Sequence, residues 1–223
     1  MRSVYIPQDD FFWTHKKSYN GEQFHHLTRV IRLRQNEQLR AFNGVGLVLD
    51  LKVQQINSRE IIFDVQKEFH YEYKHRICLA LSLVKKDAFE LALRMSVECG
   101  VHEIFPLITQ YSEKDFEWKT RHFQIIENAM EQSNHYSYPK LHPALKLNSL
   151  LVLDRFFVYM DRGGEGKVSP LGESPVLIVG PEGGWSDEEA KLLQERAFCL
   201  GLDFPILRTP TAVVAGMTNL VAR

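Results

Sequence analysis

Cysteine is scarce in this sequence. Cys78, Cys99 and Cys199 are the only three in 223 residues. They are odd in number, far apart and in no C-x-x-C pair, which argues against a disulfide framework or a cysteine-built zinc site. No run approaches the roughly 20 apolar residues of a membrane span. The stretch from Met1 to Phe12 carries Arg2, Asp9 and Asp10 and lacks the apolar segment of a secretory signal, so a cytoplasmic location is the expectation. Net charge is missing as well: 27 basic residues face 28 acidic ones, and no global field draws the chain to a polyanion.

What is present is enough apolar content, 44%, to bury one large core or two small ones. The pattern changes along the chain. Leu39–Phe42, Leu47–Val53 and Ile61–Val65 read as short strands, with the turn Asn43-Gly44-Val45-Gly46 between the first two. Just before them, His25 to Arg40 holds Arg29, Arg32, Arg34 and Arg40 against Glu37 alone. This is a local basic stretch that a polyanion would meet first, and equally what any solvated face can show. Residues 66–75 are polar and aromatic without a period, and a domain boundary is expected near residue 73, giving domains 1–73 and 74–223.

Beyond it strands and helices alternate, the pattern of an α/β layer with parallel strands. Ile77–Val84 is a strand. Asp87 with Glu90 offers a capping box, and Gly100 a helix stop. Val101–Ile108 is the next strand. Ile125, Ile126, Ala129, Met130 and Ser133 share a helix face that leaves out Glu127 and Glu131. Leu150–Tyr159 reads as a strand, Asp161–Lys167 as a flexible connection, and Pro175–Val179 as a buried strand. A capping box at Ser186 and Glu189 opens a helix, Phe204–Leu207 is a short strand, and Thr211–Ala222 is a closing helix.

Two segments carry chemistry. Gly180-Pro181-Glu182-Gly183-Gly184-Trp185 joins a strand to a helix, and such a turn exposes backbone N–H groups and admits a ligand close to the main chain. It lacks the Lys-Ser or Lys-Thr of a P-loop and the G-x-G-x-x-G of a dinucleotide site. A tight turn without a ligand remains open. In Leu207-Arg208-Thr209-Pro210, Thr209 suits an N-cap and Pro210 the first helical position. Arg208 adds a donor fork to an electropositive helix start, although a surface ion pair would also account for it.

Ile178–Ser186 followed by Ile206-Leu207-Arg208-Thr209 resembles the 16S ribosomal RNA uracil-N3 methyltransferases of the knotted SPOUT superfamily. His26–Leu33, Glu98-Cys99-Gly100-Val101 and Glu131-Gln132-Ser133 match in the same order. The resemblance covers nearly the whole chain. It implies a small PUA-like β-barrel for RNA, then an α/β domain with a deep trefoil knot, a homodimer, and S-adenosylmethionine held near Ile178, Gly180, Gly183, Leu202 and Leu207. Arg208 would stabilise the reacting base, Glu131 is the carboxylate offered as proton acceptor, and Arg29 and Arg32 would meet RNA. No metal is implied.

The chain departs from that family at basic positions, where it has Met95, Tyr111 and His135. Pro210 also replaces an acidic residue, and Asp203 a glycine. Fewer cations mean weaker phosphate contacts. A different RNA target, or an RNA-binding assembly protein of the same fold without catalysis, therefore stays open at this point.

Overall fold

The computed structural model describes residues 1–7, 18–73, 75–165, 174–201 and 205–221. The chain divides into two compact units. The first is Met1–Glu72 together with Met130–Tyr138, and the second is Tyr73–Ala129 together with Pro139–Arg223.

In the first unit β1 (Arg2–Tyr5), β2 (Ser18–Tyr19), β3 (Gln38–Phe42), β4 (Leu47–Ile56) and β5 (Ile61–His70) make one sheet in the order β1-β3-β4-β5-β2. Only β1 on β3 is parallel. Alternate apolar residues of β3, β4 and β5, among them Leu39, Leu49, Leu51, Val53, Ile61 and Phe63, pack with Val4 and Leu27 in a closed core. β5 runs on to His70 through the stretch that showed no period. There it pairs with β4 but is largely exposed, so no alternation was needed to hold it. The β3–β4 turn needs its glycines. Gly44 and Gly46 have φ of +79° and +96°, and a Cβ on Gly46 would lie 2.6 Å from the Tyr71 carbonyl. Asn43 Oδ1 closes the turn by accepting from the N–H groups of Val45 and Leu47. Residues Met130–Tyr138 return to this unit. The Tyr138 N–H donates to Gly44 O, Glu131 Oε1 accepts from the Tyr5 N–H at 2.9 Å, and Tyr136 packs on Phe42.

The second unit has a parallel sheet of β6 (Cys78–Ser82), β7 (Glu103–Ile108), β8 (Lys140–Leu141), β9 (Leu145–Lys146), β10 (Phe157–Glu165), β11 (Val176–Val179) and β12 (Phe198–Leu200). Its order is β12-β10-β11-β6-β7-β8, with β9 also on β7. The helices are α1 (Lys86–Glu98), α2 (Thr120–Ser133), α3 (Leu147–Leu151), α4 (Asp187–Arg196) and α5 (Thr209–Val221). β11 lies between β10 and β6 and is buried at all four positions, as a central parallel strand is when both of its faces are covered. α5 packs on α1 and on β11. Gly216 allows this approach, since a Cβ there would lie 2.7 Å from Leu177 Cδ2 and 2.8 Å from Met160 Sδ.

Several expected elements shift. The apolar run from Leu150 splits. Leu147, Leu150 and Leu151 are buried at helical spacing in α3, and the strand begins only at Phe157, beyond Asp154 and Arg155. β10 then continues through Glu165, where a connection was expected. No strand spans 205–207, because Pro205 has no N–H for a ladder and Ile206 is 81% exposed. The edge strand is β12 instead. α1 starts at Lys86 with Lys85 as its N-cap and no side-chain cap, while Glu90 pairs with Arg121 at 3.3 Å. Gly100, at φ +79°, ends α1 with the paired bonds of a Schellman motif, from Gly100 N–H to Val97 O and from Val101 N–H to Ser96 O. The implied trefoil knot is not traced among the described residues, which leave out 166–173 and 202–204.

At the amino ends of β6 and β7, Glu103 is nearly buried between His142 at 2.7 Å and Arg155 at 3.0 Å. Burial alone would raise its carboxyl pKa. The His142 hydrogen bond and the Arg155 charge outweigh that and hold it below its ordinary 4.5. A depressed folded pKa gives stability that is present above the unfolded value and lost as pH falls through the folded one. Glu103→Gln should therefore cost about 1 to 3 kcal/mol at neutral pH and flatten the fall in stability below pH 4.5. Denaturant unfolding between pH 6 and pH 3 checks this, and an unchanged acid limb would remove Glu103 from the balance.

Candidate active site

The site grows from the carboxyl end of β11, where ligands of parallel sheets are commonly held. After Val179 the chain turns at Gly180, where a Cβ would come 2.9 Å from Trp185 Cζ2. The Gly184 N–H closes the turn on Pro181 O at 3.0 Å. The left-handed position is Gly184, at φ +73°, and not Gly183. Gly183 is confined instead by Tyr111, whose Cβ would be 3.0 Å from an added Cβ. Ser186 and Glu189 form the expected capping box of α4, with the Glu189 N–H on Ser186 Oγ and the Ser186 N–H on Glu189 Oε2. The other oxygen of Glu189 accepts from the Gln110 N–H at 2.8 Å. One carboxylate thus holds the glycine turn, the start of α4 and the loop after β7.

The segment before α5 forms the opposing wall. The helix opens at Thr209, the proposed N-cap, and Arg208 takes the cap position instead: the Ala212 N–H bonds to Arg208 O. Thr209 is buried inside the first turn, and its hydroxyl donates to Gly180 O at 3.4 Å. Between the two walls lies a cleft of about 450 Å³, bounded by Gly180–Trp185, by Pro205–Thr209, by Leu200, and by Met160 and Asp161 of β10. Asp161 reaches it because the β10–β12 ladder is irregular, Met160 and Glu165 both lying opposite Leu200.

The chemistry of the lining is specific. Pro181, Trp185, Leu200, Ile206 and Leu207 offer apolar walls. The N–H groups of Glu182 and Gly183 have no partner among the described residues. Asp161 and Glu182 bring negative charge and Arg208 positive charge. Arg208 is exposed and makes no ion pair among the described residues. Two carboxylates and no lysine disfavour a polyphosphate. The same groups suit a flat, partly apolar ligand bound through the main chain and carrying positive charge.

Of the residues singled out from sequence, Gly180, Gly183, Leu207 and Arg208 line this cleft. Ile178 is one residue below it, fully buried in the core, and Leu202 lies outside the described residues. Glu131 does not line it. Its carboxylate belongs to the first unit, engaged by the Tyr5 N–H. Arg29 and Arg32 are exposed on the first unit, Arg29 in a short π-helix, His26–Val30, and Arg32 at φ +56°. Arg40 leaves that basic set. It pairs with Asp50 across the β3–β4 ladder at 2.6 and 2.9 Å and donates to Tyr136. Met160, Asp161 and Leu200 were missed, since only the strand order brings them to the glycine turn.

The profile of an RNA methyltransferase domain matches residues 71–221, and that of an RNA methyltransferase PUA domain matches residues 19–66. The chain is similar to Ribosomal RNA small subunit methyltransferase E of Rickettsia conorii, 26% identical over 207 residues that cover 88% of this chain and 85% of that protein. The Bacillus subtilis protein of the same name is 25% identical over 227 residues, 91% of this chain and 88% of its own length. A crystal structure of that methyltransferase from Neisseria gonorrhoeae, bound to S-adenosylmethionine, superposes with a TM-score of 0.84 at 24% identity. The match covers 98% of this chain and 95% of that one. The shared fold is α/β of the SPOUT type with a PUA-like first domain.

Ser186→Ala should lose one cap and about 1 kcal/mol. Glu189→Ala should lose more, because it also releases Gln110. Denaturant unfolding gives the order, and faster amide exchange at Gln110 in Glu189→Ala alone separates the two roles.

Proposed function

The chain belongs to the RNA methyltransferase family, and from that membership we propose that it transfers the methyl group of S-adenosylmethionine to N3 of a uridine in 16S ribosomal RNA. The observation that carries this reading is the cleft itself: a glycine turn with free backbone donors faces Arg208 across apolar walls. The relatives named above are small-subunit ribosomal RNA methyltransferases, and the Neisseria protein binds this cofactor.

The residues present fit the cofactor. Backbone groups at Gly180, Glu182 and Gly183, with the walls at Leu200 and Leu207, would hold its adenosine, Ile178 would support the turn from below, and Leu202 belongs to the same expected set. Asp161 and Glu182 would face its amino and sulfonium charges. When bound, S-adenosylmethionine supplies an electrophilic methyl group. The work of this chain is to bring the uridine N3 in line with it, a kind of positioning worth ~7 to 11 kcal/mol. Arg208 stabilises the base as N3 gives up its proton to solvent water. Glu131 keeps its bond to the Tyr5 N–H and is given no proton to accept. Arg29 and Arg32 hold RNA phosphates. The active form is a knotted homodimer in the cytoplasm. Among the described residues no helix is long and apolar enough to cross a membrane, and no cluster of His, Cys, Asp and Glu could hold a metal ion.

Calorimetric titration with S-adenosylmethionine tests the reading first, and Gly183→Val should abolish binding while the chain still folds. Absence of binding by the wild-type protein sinks it. Mass spectrometry of ribosomal nucleosides from a deletion strain then names the base. Arg208→Ala should lower turnover by about 2 to 3 orders of magnitude at nearly unchanged cofactor affinity, and Arg208→Lys should restore little. A raised KM for RNA with normal saturating turnover would reduce Arg208 to a phosphate contact.

Changing Arg29 and Arg32 together to Ala should weaken RNA binding and flatten its dependence on salt, without moving cofactor affinity. An unchanged salt slope would leave those arginines as solvated surface.

A further inference from the structure

The loop after β7 is more firmly held than its position on the surface requires. The Gln110 N–H is fixed by Glu189, the Thr109 N–H by Ser112 Oγ at 2.8 Å, and the Glu113 N–H by Leu83 O at 2.8 Å. Lys114 Nζ spends its charge on two carbonyls of the same loop, Thr109 O at 2.6 Å and Gln110 O at 2.7 Å. What these bonds present is Tyr111, 57% exposed.

A single exposed aromatic is ordinary. This one is distinguished by its neighbour, because its Cβ sits against Gly183, whose backbone bounds the cleft. Tyr111 itself is not among the cleft-lining residues. A ligand seated in the cleft therefore leaves the ring open to whatever approaches from solvent. Lys114, the cation of this loop, is exposed but tied by its Nζ to the loop's own carbonyls, and its neighbours Glu113 and Asp115 are exposed carboxylates. What the loop can offer a nucleic acid is therefore the ring and not positive charge.

We propose that Tyr111 is the stacking platform for a base of the RNA substrate, held at the rim of the glycine turn so that an unstacked nucleobase lies beside the cleft. The inference rests on the reading of the cleft as the methyl-donor site of an RNA methyltransferase and adds the residue that receives the nucleic acid there. A base methylated at N3 must leave its pairing partner, and an aromatic face repays part of the lost stacking. The platform needs no positive charge, which accounts for a tyrosine at a position where the resemblance leads one to expect a basic residue.

The test uses the full-length protein, S-adenosylmethionine, and 30S subunits purified from a strain lacking this gene. Tyr111→Ala should lower kcat/KM for the subunits by about 5- to 100-fold, the scale of one lost base–aromatic stack. Calorimetric affinity for S-adenosylmethionine should stay at the wild-type value, and so should the slope of RNA binding against salt, since no phosphate contact is removed. Tyr111→Phe should restore kcat/KM. Wild-type kcat/KM in Tyr111→Ala overturns the proposal, as does an equal loss in Tyr111→Phe, which would mean a hydroxyl contact. A parallel loss of cofactor affinity overturns it too, because the ring would then be covering the cofactor. Failure of the wild-type protein to bind S-adenosylmethionine is a different result: it removes the methyltransferase reading and this inference with it.

Discussion

Two glycine backbones set the geometry of the second unit. Gly164 of β10 and Gly201, just past β12, lie so close that a Cβ on Gly201 would overlap the carbonyl of Gly164. One on Gly164 would meet the Gly201 nitrogen and, at 2.6 Å, Cys199 O. Neither glycine has a left-handed φ, so the requirement is for space and not for conformation. The crossing keeps the end of β10 against β12, and with it Met160, Asp161 and Leu200 at the edge of the glycine turn. Gly216 meets a similar demand where α5 rests on β11 and β10. Interiors packed this tightly yield little to an added methyl group. The cleft is therefore shaped by places where side chains are missing as much as by those that line it.

The parallel sheet separates two kinds of polar chemistry. At its amino ends a carboxylate is nearly buried and fully paired, Glu103 with His142 and Arg155, and the ring of His142 stacks on Phe105. The buried charge there has its partners, which is the condition for burying it. At the carboxyl ends of β11 and β12 the charges of Asp161, Glu182 and Arg208 border an open cleft. The carboxylate that holds this region together, Glu189, is set back from the cleft and bonds only to N–H groups. The carboxylate that holds the region is thus a different one from those that border the cleft.

Much of this was legible in the sequence wherever a local rule decides. The capping box at Ser186 and Glu189, the stop at Gly100, the turn at Asn43–Gly46 and the buried face of α2 follow from spacing and residue type alone, and so does the glycine turn with its neighbouring arginine. Sequence failed where partners are distant. β5 beyond Val65 is held by pairing without burial, so it shows no alternation. The run at Leu150 is apolar enough for strand or helix, and packing decided. Asp161 gives no signal of its own because β11, later in the chain, is inserted between β10 and β6. Arg40 looked like one more surface cation until register set it opposite Asp50. Thr209 looked like a cap until its hydroxyl found Gly180.

The return of Met130–Tyr138 to the first unit bears on how the chain matures. As it emerges from the ribosome, residues 1–72 have the sheet but lack the pieces that close one end of it. Tyr136 against Phe42 and Arg40, Tyr138 against Tyr5 and Gly44, and Glu131 on the Tyr5 N–H are all still to come. By the time residue 138 is available, β6, α1, β7 and α2 have been made too. Domains usually complete themselves in order from the amino end. In this chain the earlier unit waits for a segment encoded within the later one, so synthesis itself obliges the two to mature together.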